Sequence, residues 1–164
     1  MFYFLYGIIF LIAAFQLQHY LPLLPDPMAT RFEMNGTPNG WMSREGFALY
    51  YAIFLIFMTG AFALAGALLK KTPDRYINIP HKGYWLAPER REKSLRSLQR
   101  MTDMIGVVIG FFIVLMMQAV IVANLDKYPQ LGFDRMMPVL GILIAFILCT
   151  LLYVRRRFRA PGER

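Results

Sequence analysis

The stretch MIGVVIGFFIVLMMQAVIVAN, residues 104–124, runs for 21 positions without Asp, Glu, Lys or Arg. A helix of about 20 apolar residues covers the ~30 Å of hydrocarbon in a bilayer, and a charge placed near its middle is expensive. The stretch therefore reads as a membrane span. Three further runs, 2–21, 46–69 and 136–154, are equally free of charged residues. Hydrophobic residues make up 57% of the 164-residue chain and the mean hydropathy is +0.44, too apolar for an ordinary soluble domain. The first run is interrupted by Gln16, Gln18 and His19. It has no basic residues ahead of it and no small-residue cleavage site, so an anchored helix is expected there rather than a cleaved signal. The expected fold class is all-α integral membrane: one domain, 1–164, with four transmembrane helices, an ordered loop at 22–45, a second loop at 70–103 and a basic tail at 155–164.

Lys and Arg set the expected orientation, because they accumulate on the cytoplasmic side. Loop 70–103 and the tail hold 14 of the 18 basic residues, whereas loops 22–45 and 125–135 hold 4. Both termini are thus expected in the cytoplasm, with loop 22–45 outside. The net charge of +8 then belongs to helix ends meeting anionic headgroups, which removes the case for nucleic acid. Small residues four apart, Gly106/Gly110 in the third span and Gly141/Ala145 in the fourth, let helix backbones approach closely. An internal four-helix bundle or a contact with another subunit would use them equally. Gln118, deep in the third span, is expected to hydrogen-bond a neighbouring helix.

Loop 22–45 is rich in turn chemistry. Pro22, Pro25 and Pro27 end the first helix and keep the chain extended, while Asn35-Gly36 and Asn39-Gly40 offer two sites for positive φ. Between them, Arg31 and Glu33 alternate with Phe32 and Met34. The expectation is a short hairpin or compact cap, with Phe32, Met34 and Trp41 facing inward or resting at the interface. Leu24, Pro25, Phe32, Gly36, Gly40, Trp41 and Arg44 also follow the pattern of a bacterial family of uncharacterised membrane proteins, which the loop resembles. That domain of unknown function is shared with SdpI-like immunity proteins. The resemblance implies protection against a secreted peptide toxin and signalling across the bacterial inner membrane. Arg31 departs from the family pattern, which has histidine there.

In loop 70–103, NIPHKGYWLAPER (78–90) is a second Pro/Gly/aromatic segment that resembles short members of the same family, and Asn78, Tyr84, Trp85, Glu89 and Arg90 are its candidate docking residues. Pro88 and Glu89 suit a helix start. From there Leu95, Leu98, Met101 and Ile105 recur at helical spacing opposite Arg90, Arg91, Lys93, Arg96 and Arg100. The pattern predicts a basic amphipathic helix lying on the membrane surface and running into the third span.

Chemistry finds little foothold. The only histidines, His19 and His81, fall on opposite sides of the expected topology, and the lone cysteine, Cys149, sits in an apolar run. The three serines, Ser43, Ser94 and Ser97, are far in sequence from any His/Asp partner, and no phosphate loop or HExxH is present. Asp, Glu, Lys and Arg are missing from the spans, contrary to what an ion-coupled carrier needs. The expectation is a protein without enzymatic activity, cofactor or metal that acts by binding. Its partners would be anionic lipid headgroups and a peptide or envelope ligand met by Arg31, Phe32, Trp41 and Arg44, with Pro25, Gly36 and Gly40 shaping the loop. The rival expectation is a small accessory subunit of a larger membrane complex, attached through Gly106 and Gly110.

Overall fold

The structure, a computed structural model, describes residues 2–159, so residues 160–164 of the basic tail lie outside it. The chain forms α1 (Phe2–Tyr20), the strands β1 (Met28–Phe32) and β2 (Pro38–Met42), α2 (Arg44–Leu68), the single-turn α3 (Lys82–Trp85), α4 (Pro88–Leu125) and α5 (Phe133–Arg157). Four helical segments, Phe2–Leu23, Arg44–Lys71, Pro88–Leu125 and Met136–Arg157, are long and apolar enough to cross a membrane. The molecule is mostly helical, and this places it among multi-pass membrane proteins.

The helices are not a symmetric four-helix bundle. Tyr6, Ile9, Ala13 and Gln16 form a buried stripe on α1, and Phe47, Tyr51, Leu55 and Thr59 repeat every fourth residue on α2. Both stripes meet α4, which is the hub of the molecule. α5 packs chiefly on α4, and none of its most apolar 18-residue window is buried within the protein. Patterning could not separate these cases, because lipid and a protein interior are equally apolar.

Gly106 and Gly110 serve the internal core. A Cβ on Gly106 would run into the Tyr6 hydroxyl and Phe62, and one on Gly110 would stand 3.0 Å from Ile9 Cδ1 and 3.0 Å from Thr59 Cγ2. Of the two uses expected for these glycines, internal packing and a subunit contact, the first is the one made, against α1 and α2. At Gly141 a Cβ would meet nothing within 4 Å, so the fourth small-residue face is open.

The segment expected to be a basic amphipathic helix runs into the third span, as its pattern predicts, the two forming one 38-residue helix. Its apolar stripe is covered by protein. Leu95 and Met101 are buried with Ile77, Ile79, Trp85, Leu86 and Phe158, and Leu98 packs at the edge of this cluster. The loop before α4 folds back to supply Ile77, Ile79, Trp85 and Leu86, while Phe158 comes from the end of α5, and Arg91 fastens the loop through Asp74, with Nη2 and Nε 2.9 and 3.0 Å from Oδ1.

Candidate functional site

The hairpin closes the end of the bundle that joins α1 to α2. After Tyr20 the chain makes a short 3-10 turn with Pro22 in it and then extends. At the other end Ser43 caps α2, its Oγ accepting from the Gly46 N–H at 3.1 Å, and the Arg44 N–H donates to Asp26 Oδ1 at 3.2 Å. These bonds start α2 two residues ahead of the apolar run and hold both feet of the hairpin together.

The strands pair antiparallel, Met28 with Met42, Ala29 with Trp41, Arg31 with Gly40 and Phe32 with Pro38, with irregular register on both sides of Arg31. Of the two Asn-Gly pairs, one makes the turn. Gly36 has φ +86°, a conformation that favours glycine, and Asn35 Oδ1 accepts from the Thr37 N–H at 2.9 Å and its hydroxyl at 2.7 Å. Gly40 instead lies within β2, where a Cβ would stand 2.8 Å from Arg31 Cβ. The aliphatic stem of Arg31 thus rests over Gly40, and the glycine is there for close approach rather than for a turn.

Two attachments seat the hairpin on the bundle. Asn124, near the end of α4 and 3% exposed, accepts the Ala29 N–H at Oδ1 and donates from Nδ2 to the Ala29 carbonyl, both at 2.7 Å. Its amide pairs with β1 as a third strand's peptide group would, and Nδ2 also reaches the Val120 carbonyl at 2.9 Å. On the loop between α4 and α5, the Leu131 N–H donates to the Gly36 carbonyl at 3.0 Å. A Cβ on Gly36 would meet the Leu131 oxygen at 2.7 Å, a second reason for glycine there. Beneath the hairpin, Leu24, Met28, Phe47 and Ile121 form a buried cluster.

The opposite face is open. Met34 is 92% and Trp41 53% exposed, and Arg31 and Pro25 are exposed, while Phe32 and Arg44 are half-buried. Of the two placements expected for Met34 and Trp41, inward or at the interface, the inward one is thereby excluded. Met28 and Ala29 take the inner positions because Asn124 fixes the register from below. His19 stacks on Phe15 and meets Tyr20 edge-on at the end of α1.

Deeper in the bundle, Gln16 joins three helices. Its Nε2 donates to Gln118 Oε1 at 2.8 Å and to the Val114 carbonyl at 3.3 Å, and its Oε1 accepts the Tyr51 hydroxyl at 2.7 Å. Gln118 does bond a neighbouring helix, as its position in the span predicts. The network locks the register of α1 and α2 on α4, since each of these bonds has a fixed partner in an apolar surround.

At the far end of the bundle, Tyr84, Trp85 and Arg90 come together. Arg90 Nε donates to the Tyr84 carbonyl at 2.9 Å with its guanidinium 4.0 Å above the Tyr84 ring. Trp85 is buried and meets Phe158 edge-on at 5.6 Å. It belongs to the core, not to an open docking patch, whereas Asn78 and Glu89 are exposed. Among the described residues, no group of three His, Cys, Asp or Glu side chains is placed to hold a metal.

Residues 7–56 match the family model described as "Domain of unknown function (DUF1648)". The match covers most of α1, the whole hairpin and the first half of α2, and includes Gln16, Ser43 and Tyr51 but not Asn124. No curated protein and no solved structure matches the chain.

Proposed function

We propose that the chain is a non-enzymatic bacterial inner-membrane protein of the SdpI-like immunity or sensing kind, which meets a peptide or envelope ligand with the open face of its hairpin. The observation that carries this is the contrast between the two faces: the underside is fixed by Asn124 and Leu131, while Met34, Trp41 and Arg31 stand in solvent. Exposed aromatic and cationic groups on a rigid support lose little entropy on binding, which is what a recognition surface needs. The proposed orientation has both termini in the cytoplasm and the hairpin outside, supported by the 14-to-4 division of basic residues between the two sides.

The test is protection. A strain lacking the chain is challenged with peptide toxins secreted by its own species, with and without complementation. The wild-type chain restores survival, and Trp41→Ala with Arg31→Ala does not, at equal membrane abundance. A deletion that leaves sensitivity unchanged removes the immunity reading.

A second reading, accessory subunit of a membrane complex, is favoured by α5, whose free side carries Gly141 and a run of exposed aliphatic residues. Under it, Gly141→Leu lowers co-extraction with a large assembly in native mass spectrometry. Recovery of the wild-type chain only as a free monomer or small homo-oligomer excludes it.

A further inference from the structure

Between α4 and α5, against the first turn of α1, lies a cleft of about 870 Å³, within the size range of small-molecule sites. One end of it is cationic. Lys93, Arg96 and Arg100 line it from α4 and Arg157 from α5, and no carboxylate is among its described lining residues. Among the described residues, Glu92 reaches Arg96 at 3.5 Å in an exposed pair of the weak kind. Arg157 is steadied by the Trp85 ring, its guanidinium 5.0 Å from the centroid. The other end is apolar, walled by Phe2, Met104 and Phe146.

A second, separate crevice of about 190 Å³ lies further along the same two helices, lined by Phe111 and Leu115 on one side and by Val139 and Ile142 on the other. From Arg100 to Leu115 the helical rise gives about 22 Å, more than the ~15 Å depth of one leaflet's hydrocarbon. At about 190 Å³ the crevice holds less than one turn of another helix, which is ~10 Å across and rises ~5.4 Å per turn. Thr150 Oγ1 is buried in the cleft wall without a hydrogen-bond partner, two turns along α5 from Arg157.

We propose that this cleft holds one anionic glycerophospholipid. The phosphate sits among Lys93, Arg96, Arg100 and Arg157, the Thr150 hydroxyl donates to an ester carbonyl, and one acyl chain follows the crevice between α4 and α5. The cationic end flanks both spans, at the depth where headgroups lie, and the trough runs inward from it. Charge and depth therefore agree on a lipid rather than a free phosphate. The lipid also supplies the lateral packing that α5 lacks from protein.

The test uses the full chain in mild detergent, titrated with phosphatidylglycerol, with phosphatidylcholine of the same chains, or with inorganic phosphate, and read by native mass spectrometry. The expected result is a one-to-one phosphatidylglycerol adduct, favoured over phosphatidylcholine by about tenfold or more, as several cations at the headgroup imply. Arg96→Gln with Arg100→Gln abolishes that preference. Both arginines are exposed, so the fold is kept. Lys70→Gln with Lys71→Gln removes the same charge from the end of α2 and leaves the preference intact. Cys149→Phe, which fills the cleft without touching its charge, weakens both lipid adducts. Equal adducts with the two lipids, equal losses in the two charge variants, or displacement of the lipid by inorganic phosphate would each overturn the proposal.

Discussion

Replacing Asn124 with alanine should free the hairpin while leaving the helices in place. Asn124 answers both backbone groups of Ala29, a residue with no exposure, so truncation strands a buried N–H and a buried C=O. Each such group costs about 1–3 kcal/mol without a partner, which puts the pair at ~2–6 kcal/mol. Water reaching the loosened hairpin recovers part of this, and ~3 kcal/mol is the working figure. At 1.4 kcal/mol per factor of ten, hairpin opening becomes about 100-fold more frequent. Amide hydrogen exchange in detergent measures it directly: peptides covering 28–42 should lose about two decades of protection, while those within 106–118 should be unchanged. Met34→Ala, at a 92% exposed position, serves as a silent control. Unchanged protection in Asn124→Ala, or equal loss in the hairpin and the helices, would refute the idea that this one amide seats the hairpin.

Gly106→Ala should lower bundle stability by about 1–3 kcal/mol through collision with Tyr6 and Phe62, whereas Gly141→Ala should be neutral; unfolding in mixed detergent micelles compares them. Tyr51→Phe removes the donor to Gln16 and should cost about 0.6 kcal/mol, and no more than ~1.7 kcal/mol, in the same assay, the mean and the upper end for hydrogen bonds between membrane helices. Trp85→Ala should cost about 3–5 kcal/mol and release Phe158, so limited proteolysis should cut between α5 and the chain end faster than in the wild type.

The spans were legible because their length and lack of charge answer directly to bilayer thickness. The hairpin was legible because Asn35-Gly36 supplies a turn between short strands. Its inner face was not. The residue that fixes it, Asn124, lies 95 positions from Ala29, and no local pattern in a single sequence links an asparagine at the end of one span to a strand near another. Asn39-Gly40 looked identical to Asn35-Gly36 in composition, yet one glycine answers a positive φ and the other the bulk of Arg31. The amphipathic stripe of 95–105 was visible, but periodicity states only that a face is apolar. Whether lipid or Trp85 and Phe158 covers it depends on how the preceding loop folds back.

The length of α4 has a mechanical consequence. Its 38 residues rise about 57 Å, nearly twice the hydrocarbon thickness, without a break. Such a rod acts as a strut. It grips the hairpin near one tip through Asn124 and the Trp85 cluster near the other through Leu95. If α4 rocks about its middle, where Gly106 and Gly110 press it against α1 and α2, its tips swing in opposite directions and carry those two attachments with them. On such a rocking motion, a displaced hairpin would tilt the distant aromatic cluster as a seesaw tilts its far seat, with no chain of small rearrangements needed in between.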